Sequence, residues 1–174
     1  MVPRLETPRL ILRGWRPEDA DAHAAMAASP EVMRFLGGVL TPAESWRTLA
    51  QHAGHWILRG YGQWAIERRD DGVLLGRAGL WHPEGWPGLE LGWSLARHAW
   101  GQGYATEAAR AALEWTWASL EAERLISIIA PANTASIRVA ERLGLALDRE
   151  QTLDGKPVRV YAIDRPGLRT GMRG

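Results

Sequence analysis

The chain lacks cysteine altogether, which excludes disulfide bonds, thiolate metal ligands and a cysteine nucleophile. It also lacks any uninterrupted run of about 18 apolar residues, the length that a membrane-spanning helix needs. The first thirteen residues are interrupted by proline, arginine and glutamate, so they do not resemble a signal peptide. We therefore expect a cytoplasmic protein that does not enter a membrane.

Excess charge of either sign is also missing. The formal net charge is +1 over 174 residues, which gives no general attraction to nucleic acid or to an anionic membrane. Lysine is nearly absent, because Lys156 is the single lysine among 21 basic residues. A chain of this length with 46% hydrophobic residues fits one domain with a sizeable core.

The periodicity of apolar residues switches several times between the helical and the strand pattern. A capping box at Thr41-Pro-Ala-Glu44 opens a helix that Gly60 ends, with Trp46, Leu49, Trp56 and Ile57 predicted on its apolar face. Asp70-Asp71-Gly72 predicts a hairpin turn. The predicted order is β, α, α, β, β, β, α, β, α, β, β, which indicates a single α/β domain with a mixed sheet over residues 1–174. Residues 166–174 are expected to be a frayed tail.

A glycine-rich turn between a strand at Leu89–Leu95 and a helix at about Tyr104–Ser119 is the feature that carries chemistry. Gly101 and Gly103 let the backbone approach a ligand closely. The first turn of the following helix offers unpaired N–H groups and the positive end of the helix dipole, which suit an anion. Together they predict a pyrophosphate site.

Two other phosphate loops fit less well. A P-loop needs Gly-Lys-Ser/Thr, which does not occur, because Gly155-Lys156-Pro157 lies in a hairpin turn. A dinucleotide-binding loop needs a third glycine, but Thr106 stands at that position. It also needs an acidic residue at the end of the next strand, and no acidic residue ends Leu125–Ala130. An oxidoreductase of that type is therefore a weak alternative.

The segment Trp100-Gly-Gln-Gly103-Tyr-Ala105 resembles motif A of the GNAT N-acetyltransferase superfamily, with Trp100 where glutamine or arginine is usual. The variant is similar to the RimJ/RimL-like subgroup, the ribosomal-protein N-terminal acetyltransferases. Thr7–Arg13 is similar to the opening strand of that subgroup, and Asn133–Gly144 to its Asn-x-x-Ser helix. The resemblance spans about residues 7–163.

The resemblance implies a mostly antiparallel sheet of six to seven strands flanked by helices, with acetyl-CoA between the fourth and fifth strands. The backbone of Trp93, Ser94 and Leu95 would pair with the pantetheine arm, and Asn133 would hydrogen-bond it, although Asn133 also suits a plain helix cap. Ser136 would lie near the thioester. The amides that would hold the pyrophosphate belong to Trp100, Gly101, Gln102, Gly103, Tyr104, Ala105 and Thr106.

Catalysis of acetyl transfer needs a base for the amine and an acid for the thiolate. Glu90 alternates with Leu89 and Leu91 and is the leading candidate base, the alternative being a solvated carboxylate at a strand start. Many superfamily members carry a tyrosine acid seven residues after the motif asparagine, but Ala140 stands there. Ser136, or else Tyr161 on the last strand, is then the candidate acid.

Histidines do not predict a metal site. His52 and His55 lie three residues apart on a helix without a third ligand at a convincing spacing, and His23 is expected in solvent. The sequence thus predicts an acetyl-CoA-dependent N-acetyltransferase without a metal. Its acceptor would be a primary amine: a protein N-terminus, an amino acid or another small amine. A homodimer and a CoA-binding module without catalysis remain alternatives.

Overall fold

A computed structural model describes residues 1–167 and contains one eight-stranded sheet with five α-helices and two short 3-10 helices. The sheet order is β1-β2-β3-β4-β5-β6-β8-β7, and every neighbouring pair is antiparallel except β5 and β6. The strands are β1 (Leu5–Glu6), β2 (Leu10–Arg13), β3 (Gln63–Arg68), β4 (Leu74–Trp81), β5 (Glu90–Leu95), β6 (Arg124–Ile129), β7 (Ala146–Leu153) and β8 (Lys156–Asp164). The helices are α1 (Ala20–Ala27), α2 (Pro30–Met33), α3 (Pro42–Arg59), α4 (Tyr104–Ser119) and α5 (Thr134–Arg142).

The predicted single domain with a mixed, mostly antiparallel sheet is confirmed. The strand count is eight because Leu5–Glu6 forms a short additional strand that pairs with β2. The predicted fourth and fifth strands correspond to β5 and β6. The predicted frayed tail, residues 166–174, lies outside the described residues except for its first two positions. None of the helices within residues 1–167 is long and apolar enough to cross a membrane.

The main core lies between the sheet and helices α4 and α5. Small residues on α4 are fully buried, so the helix packs closely against β4 and β5. Trp64 and Trp56 lie in the same core in an edge-to-face arrangement with 4.6 Å between ring centroids. This layer fixes the start of α4 beside the end of β5. It thereby sets the position of the glycine turn.

Helix α3 begins at the predicted capping box: Thr41 and Glu44 each bond the other's backbone N–H. Its predicted apolar face is wrong in part, because Trp46 and Ile57 are 61% and 85% exposed. His52 and His55 are buried instead. Both imidazoles pack against aromatic rings, His52 against Trp15 and Trp81 and His55 against Trp81.

Candidate active site

Strands β5 and β6 separate immediately after their single pairing, between Glu90 and Ile126. The backbone N–H of Ile126 donates to the Leu89 carbonyl over 3.0 Å. The next ladder bond of a parallel pair would join Ile128 N–H to the Leu91 carbonyl. Ile128 N–H donates to Oε1 of Glu90 at 3.3 Å instead. The strands therefore diverge and leave a gap.

The two strands that border the gap differ in the hydrogen-bonding groups that they present to a ligand. The hydroxyl of Ser127 donates to the Leu91 carbonyl over 2.6 Å, which occupies that carbonyl from the β6 side. Beyond Leu91, alternate residues of β5 bond to β4, so the backbone groups of Trp93 face the gap. Trp93 has no ladder partner on that side within residues 1–167. Its N–H and carbonyl can bind an extended ligand as an added strand would.

The glycine turn lies at the end of β5. Gly101 and Gly103 have φ angles of +76° and +81°, the left-handed conformation that glycine adopts without a steric penalty. Gly103 is also the residue that precedes α4, and no side chain within residues 1–167 caps the helix. The first N–H groups of α4 can therefore bind an anion. Arg9 holds the turn by donating to the Gln102 carbonyl at 2.9 Å.

Trp100 departs from the family pattern and has a clear local contact. Its indole N–H donates to the Leu95 carbonyl over 2.8 Å, and the Arg97 guanidinium lies 4.9 Å from the ring centroid. The indole therefore ties the turn to the end of β5 and occupies one carbonyl of the predicted Trp93–Leu95 binding edge. Ser94 lies on the same strand with its side chain buried.

Asn133 and Ser136 lie at the start of α5, the helix that follows β6. Oδ1 of Asn133 accepts the backbone N–H of Ser136 at 3.2 Å, so the helix cap is present. The amide nitrogen of Asn133 makes no hydrogen bond within residues 1–167, which leaves it for a ligand. Ala140 is fully buried in the core, so that position supplies no hydroxyl.

Glu90 is partly buried and held at both oxygens. Trp86 donates its indole N–H to Oε2 over 2.7 Å, and Ile128 donates to Oε1. Burial raises the pKa of Glu90 to about 7, and the two hydrogen bonds together with the charge of Arg77 only partly oppose this rise. The alternative of a solvated carboxylate at a strand start is therefore wrong. A carboxylate with a pKa near 7 suits a general base at neutral pH.

Tyr161 lies apart from Glu90. It pairs across the sheet with Ser127, and Ser127 alternates with Ile126, the partner of Glu90. Tyr161 therefore projects from the opposite sheet face, where it is 5% exposed in the main core. The sheet does not bring these two candidate groups together, because Tyr161 lies on β8, beyond β6.

A cluster of aromatic and imidazole rings covers the sheet face that carries Glu90. Neighbouring rings in it have centroids 4.9–6.5 Å apart, and its members are Trp15, His23, His52, His55 and Trp81. His23 is 3% exposed, so the expectation of a solvated histidine is wrong. Its Nδ1 lies 2.7 Å from the Ser45 hydroxyl. Within residues 1–167 no group of three or more histidine, aspartate or glutamate side chains can hold a metal.

His55 positions the loop that follows β4. The Tyr61 carbonyl lies 2.7 Å from its Nδ1, so Nδ1 carries the proton, and Nε2 accepts the backbone N–H of His82 at 3.2 Å. His52 is also buried, but neither of its ring nitrogens has a partner within residues 1–167. Burial and the charge of Arg77 hold the pKa of His52 well below its usual range, so the ring is neutral.

Arg77 and Gln63 were not predicted from the sequence. Arg77 faces Ser94 across β4 and β5, on the same sheet face as Glu90, and donates to Oε1 of Gln63. The available signal was a lone arginine within an otherwise apolar strand, Leu74–Trp81. Gln63 gave no signal of its own, because only the register of β3 against β4 brings it there.

Residues 9–146 match the family described as Acetyltransferase (GNAT) domain. The chain belongs to this family. The GNAT chain is 32% identical over 166 residues to the protein YkkB of Bacillus subtilis (strain 168), covering 91% of this chain and 94% of that protein. It is 29% identical to the uncharacterized N-acetyltransferase p20 of Bacillus licheniformis, with 90% and 92% covered.

The solved structures agree with this assignment. The acetyltransferase of Agrobacterium tumefaciens str. C58 has a TM-score of 0.86 with 33% identity, over 94% of this GNAT chain and 95% of that one. The ribosomal L7/L12 α-N-protein acetyltransferase RimL, solved in complex with coenzyme A, has a TM-score of 0.78 with 18% identity, over 93% and 98%. At that identity the RimL likeness concerns the fold alone.

Proposed function

We propose that this GNAT chain transfers the acetyl group of acetyl-CoA to a primary amine by direct attack, without a covalent intermediate on the protein. The gap between β5 and β6 beside Glu90 is the observation that carries the proposal. It combines an unpaired strand edge, a glycine turn at a helix start and a carboxylate of raised pKa. The acceptor is an amine of the protein N-terminus, amino acid or small-amine type, and the RimJ/RimL-like subgroup remains part of the proposal.

The donor site extends along the gap. The carbonyl of Trp93 and the N–H of Leu95 bind the pantetheine arm, and the amide of Asn133 donates to it from α5. Ser94, predicted in the same role, has its backbone turned to β4 instead. The amides of Trp100–Thr106 bind the pyrophosphate at the start of α4. These contacts would leave the thioester close to the point where the strands diverge.

The reaction joins the amine nitrogen to the acetyl carbonyl carbon and breaks the bond between that carbon and sulfur. Glu90, directly or through water, accepts the proton that the amine loses. The backbone N–H of Trp93 stabilises the oxyanion, since the register turns it towards the gap. Ser136 supplies the proton for the departing thiolate. Tyr161 is the alternative donor from the opposite face.

Two measurements test the proposal. Acetyl-CoA should raise the melting temperature, because a ligand that binds only the folded state stabilises it. Thiol release should then depend on an added amine, screened over peptides, amino acids, polyamines and aminoglycosides. Firm binding of acetyl-CoA with no thiol release for any amine class would contradict the proposal and favour a binding module without catalysis.

A further inference from the structure

Within residues 1–167 Arg77 makes no salt bridge, although it projects from the sheet face that also carries Glu90. Its one side-chain hydrogen bond within these residues goes to the neutral amide of Gln63. Burial lowers the pKa of Arg77 to about 10, with Glu90 only partly opposing this effect. A guanidinium has five N–H donors, so most of its binding capacity is unused.

Arg13 shows how this chain treats a buried arginine with a structural role. Two of its nitrogens bond both oxygens of Asp19 at 2.8 Å, and its Nε bonds Glu67 at 2.6 Å. The Asp19 hydrogen bond is the main cause of a raised pKa for Arg13, which means that the charge is well stabilised. Asp19, just before α1, and Glu67 on β3 therefore form salt bridges with Arg13, whereas no carboxylate within residues 1–167 forms one with Arg77.

The surroundings of Arg77 are arranged as a polar row that ends at the candidate base. Pairs across β4 and β5 place Arg77 beside Ser94 and Trp81 beside Glu90, with Gly79 and Gly92 between them. No side chain rises from Gly92, and the amide nitrogen of Gln63 lies 3.1 Å from where a β-carbon would stand there. The space between the cation and the carboxylate thus holds one further donor.

His52 provides a second, independent observation. It is 4% exposed on α3, and neither ring nitrogen has a hydrogen-bond partner within residues 1–167. A buried polar group without a partner costs free energy unless something completes it. His52 is neutral, and the positive charge that acts on it is that of Arg77. Both residues would gain partners from one polar, anionic ligand.

We propose that Arg77 and the amide nitrogen of Gln63 bind a carboxylate of the acceptor, so that the acceptor is an amine that also carries a carboxylate, as an amino acid does. This inference rests on the proposed acetyl transfer. The carboxylate lies against Arg77, and the amine points along the row to Glu90. Arg77 acts as a specificity-determining residue.

The first test compares acceptors that differ only in the carboxylate. Thiol release is measured for the free amino acids, for their carboxamides and for β-alanine against propylamine. Charge-assisted hydrogen bonds from a guanidinium correspond to an advantage of about 10- to 100-fold in kcat/KM for the acids. In Arg77→Met this advantage should collapse through KM, while the KM of acetyl-CoA stays unchanged. Arg47→Met, at an exposed position of α3, should behave as the wild type.

The second test measures stability. Replacing a structural arginine should lower the melting temperature, whereas replacing a binding arginine should leave it unchanged or raise it. Arg77→Met replaces, at similar volume, a partly buried charge that makes no salt bridge within residues 1–167, so the melting temperature of the free protein should be unchanged or higher. Arg13→Met should lower it, because two carboxylates lose their partner. If both variants lower the melting temperature alike, Arg77 is structural and the inference fails.

The remaining outcomes separate the two proposals. Thiol release that is equal for acids and carboxamides, or confined to peptides, overturns the carboxylate site and leaves acetyl transfer standing. No thiol release with any amine overturns acetyl transfer itself. Calorimetry of N-acetylated amino acids with the CoA-bound protein then measures how much Arg77 contributes to their affinity, independently of turnover. Binding that Arg77→Met does not weaken overturns the carboxylate site.

Discussion

Glu90 accepts, on its side-chain Oε1, the backbone N–H of Ile128 at 3.3 Å, where the parallel ladder would have used a backbone carbonyl. One carboxylate therefore ends the pairing of β5 with β6 and lies at the mouth of the gap that it creates. Trp86 holds its other oxygen at 2.7 Å. Its orientation is thus fixed by contacts that do not depend on a ligand.

Glu90→Gln should lower kcat by about 10²-fold or more, because general-base catalysis contributes at least that much. The amide oxygen can still accept from Ile128, although the Trp86 N–H loses its acceptor, so the gap and the affinity for acetyl-CoA should be preserved. Thiol-release kinetics measure the change in kcat, and calorimetry measures the affinity for acetyl-CoA. Glu121→Gln, at an exposed position, is the control. A similar loss of acetyl-CoA affinity in Glu90→Gln would indicate a structural effect instead.

The pH dependence follows from the raised pKa of Glu90. The base must be ionised, so kcat/KM for the amine should rise with pH through about 7 and lose this limb in Glu90→Gln. Stability has the opposite sign. The folded state binds the extra proton between the unfolded pKa near 4.5 and the folded value near 7, so this stabilisation is lost as pH rises through that window.

The stability consequence can be measured by urea denaturation at pH 5 and pH 8. From pH 5 to pH 8, the free energy of unfolding of Glu90→Gln should rise relative to that of the wild type. The shift corresponds to about 3 kcal/mol at most. An unchanged difference between the two proteins at both pH values would rule out the raised pKa.

Gly103→Ala should weaken acetyl-CoA binding by about tenfold or more. The side chain is strained at a φ of +81° and stands where the backbone must approach the pyrophosphate. Gly72→Ala is a matched control for backbone strain, because Gly72 has a φ of +71° in the β3–β4 turn. Both variants should lose about 1 kcal/mol of stability. Equal acetyl-CoA affinity in the two variants would remove the turn from the binding site.

Asn133→Asp separates the helix cap from the predicted ligand contact. The carboxylate keeps an oxygen for the Ser136 N–H, so the free energy of unfolding should change by a few tenths of a kcal/mol. The lost amide donor should raise the dissociation constant of acetyl-CoA several-fold. Asn133→Ala loses the cap as well, at about 1 kcal/mol. If Asn133→Asp binds acetyl-CoA as the wild type does, Asn133 is a cap alone.

Asp19→Asn should destabilise the fold by about 3 kcal/mol, because it breaks a buried ion pair and leaves Arg13 with one carboxylate. Burial would raise the pKa of Asp19, but the Arg13 and Arg16 hydrogen bonds outweigh it and lower the pKa overall. The stabilisation is therefore present at neutral pH and lost as pH falls below the normal range of the carboxyl. Denaturation at pH 7 and pH 3 checks this. Asp21→Asn, at an exposed position of α1, is the control. A loss at pH 7 no larger than that of the control would contradict it.

The local elements were predictable because their signals are short-range. The Thr41–Glu44 capping box, the Asp71-Gly72 turn and the glycines before α4 each depend on a few adjacent residues, and all three predictions are confirmed. The inward face of α3 was wrong because periodicity groups residues on one face without saying which face is turned inward. That choice depends on the sheet that the helix covers.

The sequence by itself determined that the chain is a single α/β domain with a glycine turn at the start of a helix, since both follow from neighbouring residues. The tertiary structure alone decided what surrounds Glu90. Strand register brings Arg77 and Gln63 onto its sheet face, and the divergence of β6 opens the gap beside it. Such positions depend on contacts between residues far apart in the chain, and no local pattern of side chains encodes them.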